Sequence, residues 1–529
     1  MILFLPSIFI FYSLSTIILA ILIWRLFNGF NNAGKMPPGP FHFPLIGNFA
    51  KLDLRYPHRS FVYWKQRYGP IYTVWLPTPY LVIAGHKQMQ DLLVNSNYAD
   101  IFSDRPTFSY SYGVFNNFLP DGDGIVLSRQ QVWKKNRSAA MAALRKLGMG
   151  RSEMENRINV HKNALILRLT EIIKNKNGIV VDIAQQFDFC FGNITQNLLF
   201  GRYYTEYNHP VFTFINLYNL KYFKEFVHLK QLIDNTIKEV ATVQMLIVNS
   251  CPWTRALFPA YWRYVRQGFE LQRFFLKEVD IHLDKIKESK QLKESEMEEP
   301  ECFIEAYLQA AIAEGQHIED PALRQTMGIC SGDLWAAGIE TVAATMTWAI
   351  VYLLNYPDIQ LKLQDEIDRH LCDQPFHFRD QNNLPYLRAF VDELQRVANV
   401  LPFTVPHSVK LGEWIIPKDT TVMVQLGAVH LDPSLFPQPE VFRPERFLDS
   451  EGNYKGSELI KPFGVGKRIC LGDSLAKMEI YLILAALLQN FHFETTDGVI
   501  PSLNRNFGTV THADHFTFKL SLRKKDVIL

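Results

Sequence analysis

The chain has 529 residues, 48% hydrophobic and 20% charged, with 55 basic and 53 acidic side chains for a net charge of +2. That is a globular balance with ample apolar material for a large core, and the bulk charge gives no case for nucleic acid. Six cysteines, at 190, 251, 302, 330, 372 and 470, form no C-x-x-C pair, which excludes a dense secreted disulfide framework and points to a reducing compartment.

Ile2 to Trp24 carry no charged side chain. As a helix they reach roughly 35 Å at ~1.5 Å per residue, enough to cross a hydrocarbon core of about 30 Å. No basic residue precedes the run and no clear small-residue cleavage site follows it, which opposes a signal peptide. Arg25, Lys35, Lys51, Arg55 and Arg59 come soon after. Residues 1–25 are therefore expected to be a membrane anchor, with the rest of the chain cytoplasmic. Met36-Pro37-Pro38-Gly39-Pro40 interrupts any helix, and 26–45 reads as a stiff hinge.

Tyr72 to Ile83, broken by Pro77-Thr78-Pro79, reads as a hairpin. From about residue 85 to 400 the pattern is mostly helical, with the charge run from Lys285 to Glu301 read as a solvated loop. Short strands return between about 409 and 426. Residues 432 to 468 look loop-like, and Ser474 to Phe491 reads as a helix. Length alone suggests two or three domains.

The strongest local signal is Pro462-Phe463-Gly464-Val465-Gly466-Lys467-Arg468-Ile469-Cys470-Leu471-Gly472. Two glycines before the cysteine and one after it allow tight turns and close backbone approach, which an inert core cysteine does not need. At the mouth of the following helix, a thiolate is expected to be stabilised by backbone N–H groups and the helix dipole. Arg468 adds a positive charge that can pair with an anionic group.

Three other segments stand out. Asp392-Glu393-Leu394-Gln395-Arg396 sets Glu393 and Arg396 at i, i+3 on one helix face, and Pro444-Glu445-Arg446-Phe447 follows downstream. Ala337-Gly338-Ile339-Glu340-Thr341 lies within a long apolar helix, about Thr326 to Leu354. A mid-helix glycine there marks either a local opening or ligand approach, or a small-residue helix crossing. Trp133 and Arg137, four apart, share a helix face.

Together these segments resemble the cytochromes P450, in their microsomal branch that oxidises xenobiotics and lipids. The likeness runs from the Pro-Pro-Gly-Pro hinge to the last helix, and it implies the family's fold: mostly α with a smaller β-rich region, a single large domain over 46–529. The family's F-x-x-G-x-R-x-C-x-G pattern is met at every fixed position by Phe463, Gly466, Arg468, Cys470 and Gly472. The resemblance implies a monooxygenase with haem b, Cys470 as the iron (metal) ligand and electron-donating thiolate. It implies Phe463 beside the cofactor and Arg468, Trp133, Arg137 and His407 as propionate partners. Glu393, Arg396 and Arg446 become a buried triad. Thr341 and Glu340 become the catalytic pair for dioxygen activation and proton supply. Val342 departs from the family's usual second Thr.

The resemblance also implies electrons from NADPH through a flavoprotein partner, NADPH-cytochrome P450 reductase, and a catalytic domain on the cytoplasmic face of the endoplasmic reticulum membrane. Lys134, Lys135 and Lys467 are expected to form the basic patch that receives the reductase. The substrate is expected to be a lipophilic small molecule: xenobiotic, fatty acid or steroid. A pocket is expected near Phe115, Ser331 to Ala337, Val400 to Val405 and Val510. Three rivals are a haem-thiolate isomerase or dehydratase, against which Thr341 and Glu340 argue, a haem-thiolate sensor, which would not consume NADPH, and a plain membrane scaffold, which ignores the cysteine loop and predicts no Soret band.

Overall fold

Pro57 opens α1 (Pro57–Tyr68), at a position where its missing N–H costs nothing, and Gly69 stops it. The computed structural model describes residues 36–523 together with Thr16 and Ala20, apart from 44–46, 54–55, 77, 96–97, 106–122, 176–178, 181, 204–215, 241, 251, 293–298, 399–402, 407–408, 418–419 and 507–509. The expected anchor, save for those two residues, lies outside the described residues, as do Phe115 and His407.

The backbone falls into two interleaved compact units. The smaller comprises residues 1–106, 402–437 and 465–467. It holds α1, α2 (His86–Leu93) and a four-stranded sheet of β1 (Ile71–Leu76), β2 (Thr78–Ile83), β3 (Phe403–Pro406) and β4 (Thr421–Val424), in the order β1-β2-β4-β3. The expected hairpin is present, antiparallel from Ile71↔Ile83 to Leu76↔Thr78. β2 then pairs β4 in parallel, Tyr80 opposite Thr421. Leu81, Ile83, Val422 and Val424 alternate inward beneath it. The proline segment does not hang free: Thr73 N donates to Pro38 O at 3.1 Å and Thr73 Oγ1 to Pro37 O at 2.8 Å. This stretch of the expected hinge is bound to β1.

The larger unit, residues 107–401, 438–464 and 468–529, is mainly helical. Its longer helices are α3 (Gln130–Lys146), α4 (Ser152–Asn175), α5 (Ile183–Phe200), α6 (Asn216–Val240), α7 (Pro259–Leu292), α8 (Phe303–Ala313), α9 (Pro321–Asn355), α10 (Pro357–Leu371), α11 (Pro385–Ala398) and α12 (Asp473–Asn490). Asp320 caps α9 by accepting from Ala322 N at 2.9 Å, and Pro321 follows at the first helical position. α9 is long and apolar enough to cross a membrane, yet 78% of its apolar stretch is buried in the protein, so it is the core helix of this unit. Trp335 on α9 donates its indole N–H to Gln196 Oε1 on α5 at 2.8 Å, which satisfies that buried donor.

One expectation is corrected here. α7 continues to Leu292, so the first part of the charge run is helix rather than loop. Lys, Glu, Gln and Leu are strong helix formers, and their propensity carries the helix into the charged stretch.

Candidate active site

Cys470 sits two residues ahead of Gly472, the N-cap of α12. Its backbone N–H donates to Phe463 O at 2.9 Å, closing the loop. Gly466 has φ +76, and a Cβ there would lie 2.6 Å from Leu93 O, so this glycine is required twice over. Gly472 is different: its φ is −99 and nothing lies within 4 Å of a Cβ. Neither a turn nor a close approach among the described residues explains it; the space beside it is open.

Cys470 is exposed, yet the protein packed around its sulfur desolvates it. Desolvation, the largest influence, raises its pKa above the ordinary thiol value. The Gly472 N–H, Arg137 and Lys477 pull the other way without prevailing. The backbone N–H at the helix mouth does favour the thiolate, as expected, but burial outweighs it for the free thiol. A coordinated metal ion deprotonates a thiol outright, so ligation does not depend on that shift.

Around this loop the structure gathers three of the expected cofactor partners. The Arg468 guanidinium stacks over the Trp133 ring at 4.1 Å. It donates to Ile125 O at 3.0 Å and Ser128 O at 2.5 Å. Arg137 donates to Ile469 O at 2.6 Å. The segment that receives Arg468 is itself fixed by Asp333 on α9, which accepts from Ile125 N at 2.7 Å and Val126 N at 2.9 Å. Asn136 adds a bond to Gly124 O at 2.8 Å.

Does this set fit a haem? Trp133 is 4% exposed, and its indole N–H finds no hydrogen-bond partner among the described residues. A buried donor left unsatisfied costs about 1–3 kcal/mol, so it calls for an acceptor. Two guanidinium groups lie close by. An anionic carboxylate edge, such as a propionate, would supply the acceptor that the indole N–H lacks, with the Arg468 guanidinium stacked on the same ring to balance its charge. The residues fit the group.

Thr341 and Glu340 lie on α9, apart from that cluster. Ala337 is exposed and Gly338, Glu340 and Thr341 are part-exposed, between the buried stretches 327–333 and 342–354 of α9, so this part of the helix is uncovered. Thr341 Oγ1 donates to Ala337 O at 2.8 Å, and Thr345 repeats the pattern to Thr341 O at 2.8 Å. α9 runs unbroken through this stretch. A Cβ on Gly338 would lie 2.9 Å from Thr195 Oγ1 of α5, which makes Gly338 the small residue of a helix crossing.

Glu340 is engaged by two bases. Lys230 Nζ lies at 2.7 Å and His512 Nε2 at 2.9 Å. Lys230 also meets Asp234 at 2.7 Å and Asp188 at 3.5 Å. Burial alone would raise the Glu340 pKa, but the hydrogen bonds from His512 and Lys230 reverse this and lower it to about 2. Desolvation raises Asp188 to about 7, even with Lys230 beside it. Lys230, His512, Asp188, Asp234 and Asp333 escaped sequence reading. Only fold-level proximity singles them out, since Lys230 lies 110 residues from Glu340 in the chain.

The triad is assembled. Arg396 donates to Glu393 through Nε at 2.7 Å and a terminal nitrogen at 2.9 Å, and Arg446 Nε reaches the same carboxylate at 3.1 Å. Arg443 N adds a bond at 2.8 Å. Phe463 lies under the Lys477 ammonium at 5.1 Å.

The family model described as Cytochrome P450 matches residues 37–520. Cytochrome P450 2C29 of Mus musculus is 32% identical over 502 residues, 92% of this chain and 93% of that protein. Cytochrome P450 2C38 of Mus musculus is 30% identical over 526 residues, covering 96% and 98%. A 3-ketosteroid oxygenase of Caenorhabditis elegans is 31% identical over 499 residues, covering 93% and 81%. With its mostly helical fold and its cysteine loop, the chain belongs to the cytochrome P450 family, as a monooxygenase that binds haem b.

Proposed function

We propose that this enzyme oxidises a lipophilic small molecule, a steroid, fatty acid or foreign compound, and that Cys470 would hold the haem iron. Bound haem b supplies the reduction of dioxygen and the transfer of one oxygen atom to substrate, the other leaving as water. The observation that carries the reading is the unsatisfied, buried Trp133 N–H beside Arg137 and Arg468, next to the cysteine loop. Trp133, Arg137 and Arg468 hold the propionates, with His407 as a further partner. The Thr341 hydroxyl, already oriented by Ala337 O, presents its lone pairs to the open side of α9 and relays a proton there. Glu340 feeds protons to that relay through water, and because Lys230 and His512 hold it ionised it must first take up each proton from solvent.

Electrons come from NADPH by way of a flavoprotein reductase, and the N-terminal run anchors the protein to the endoplasmic reticulum with its catalytic domain in the cytoplasm. Lys134 and Lys135 are exposed on α3, as a docking patch requires. Lys467 is already paired with Asp100 at 2.5 Å and contributes less than its charge suggests. The likeness to a 3-ketosteroid oxygenase favours steroids among the substrates to be tried.

Cys470→Ser tests the reading. The variant is expected to lose the thiolate-type carbon-monoxide band of the ferrous protein and all NADPH-driven product formation with purified reductase. Retention of that band sinks the assignment.

A further inference from the structure

Away from the haem site, α7 and the first turn of α8 bring three metal-ligating side chains together in the protein interior. His282 is 8% exposed, Glu305 7% and Cys302 0%. His282 Nδ1 lies 3.2 Å from Glu305 Oε1 and 3.8 Å from Cys302 Sγ. One ligand atom from each residue lies within 4.8 Å of the other two, and no other such cluster occurs among the described residues. Ligands held at about 2.0–2.3 Å around a tetrahedral ion stand about 3.3–3.8 Å apart, so the spacing needs only small shifts. Cys302 and Glu305 are set by local structure: Cys302 is the N-cap of α8 and Glu305 stands three residues on, within the first turn. The second carboxylate oxygen is held by Glu301 N at 2.9 Å, the kind of outer bond that orients a ligating carboxylate.

We infer that Cys302, His282 and Glu305 form a structural zinc site, with water in the fourth position. Sulfur, imidazole and carboxylate donors in one tetrahedral set suit zinc before harder cations. Charge supports the exchange. The metal-free cluster holds Lys285 Nζ at 3.0 Å from Glu305 Oε1, which balances the buried carboxylate. Lys285 is 58% exposed on its side chain, so it can swing into water. Zinc binding then forms bonds to sulfur, nitrogen and oxygen, releases the Cys302 thiol proton to solvent and frees Lys285. The buried cluster carries no net charge before or after, which avoids the cost of an unpaired buried ion. Bound this way the metal clips the end of α7 to the start of α8 and is too enclosed to meet a substrate.

The test uses full-length, haem-loaded protein carrying Cys372→Ser, which removes an exposed thiol as a competing ligand. After equilibration with zinc alone and dialysis, elemental analysis is expected to find one zinc per haem. Zinc-edge X-ray absorption is expected to show a single sulfur at about 2.3 Å with lighter donors at about 2.0 Å. Adding Cys302→Ser, which keeps the volume, should abolish the sulfur shell and drop zinc to blank level at unchanged haem content. Should that variant fail to load haem, Lys285→Ala takes its place: it removes the competing cation and should tighten zinc binding. Zinc no higher than blank in the starting protein, or retained with the same shell in Cys302→Ser, or unaffected in Lys285→Ala, overturns the site.

Discussion

Two glutamates in the larger unit are each held by two bases, and the two arrangements behave differently. Glu393 and Arg396 are fully enclosed, with Arg446 6% exposed on its side chain. Each arginine also donates to backbone carbonyls, Arg396 to Pro439 O at 2.8 Å and Arg446 to Val441 O at 3.0 Å. Glu340 instead shares one lysine with two further carboxylates, and its second base, His512, is 49% exposed. The first is a saturated knot with fixed charge. The second has more acids than cations and an edge in water, so protons can enter and leave. An ion pair becomes a clamp when every donor is used, and a titrating device when the acids outnumber their partners.

The largest effect separating the two is expected at the clamp. Glu393→Ala strands Arg396 in a dry interior, and breaking a buried pair costs about 3–5 kcal/mol. Haem-loaded protein should be lost, not merely slowed. Full haem occupancy with an unchanged melting curve would break the contrast at its stronger end.

A smaller effect belongs to the open cluster and depends on pH. The Asp188 pKa is raised from 3.8 to about 7 in the folded state, so the native protein holds this proton more tightly than the unfolded chain. Stability from this group is greatest at low pH and declines as pH rises towards about 7. Glu340 runs the opposite way: lowered from 4.5 to about 2, it stabilises above 4.5 and that support is lost as pH falls towards about 2. Between about 4.5 and 7 Asp188 acts with Glu340 already ionised. Asp188→Asn should flatten the decline in melting temperature across that window. An equal slope in variant and parent would mean the cluster does not titrate there.

The smallest effect on stability is expected next to Glu340. Thr341→Val deletes a hydroxyl bonded only to its own helix in the described contacts, and should shift stability by no more than about 0.5 kcal/mol. Haem and substrate binding should survive, while NADPH use leaks to hydrogen peroxide and product per NADPH falls. An unchanged ratio removes Thr341 from proton delivery.

These regions also mark what could be read in the chain. The cysteine loop, the core helix α9 and the Glu393–Arg396 pair were legible because their signals are local: glycine spacing, apolar length, an i, i+3 pair. Arg446 came only through family likeness, and its bond to Glu393 confirms the geometry. The company of Glu340 was hidden, because Lys230 and His512 reach it only when α6 and the C-terminal segment pack on α9. The same holds for Asp333, whose bonds to Ile125 and Val126 span more than 200 residues. The reading of the charge run failed because charge pattern reports solvation, whereas helix propensity decided where α7 ends.

The Arg468 bonds to Ile125 and Ser128 span 343 and 340 residues, and the Arg137 bond to Ile469 spans 332. Closing so long a stretch of chain costs entropy that no local contact repays in advance. The cradle around Trp133 is therefore expected to assemble late, after the helices between have packed. In a refolding experiment, haem capture should lag the recovery of helical signal, so cofactor uptake serves as a clock for the final act of folding.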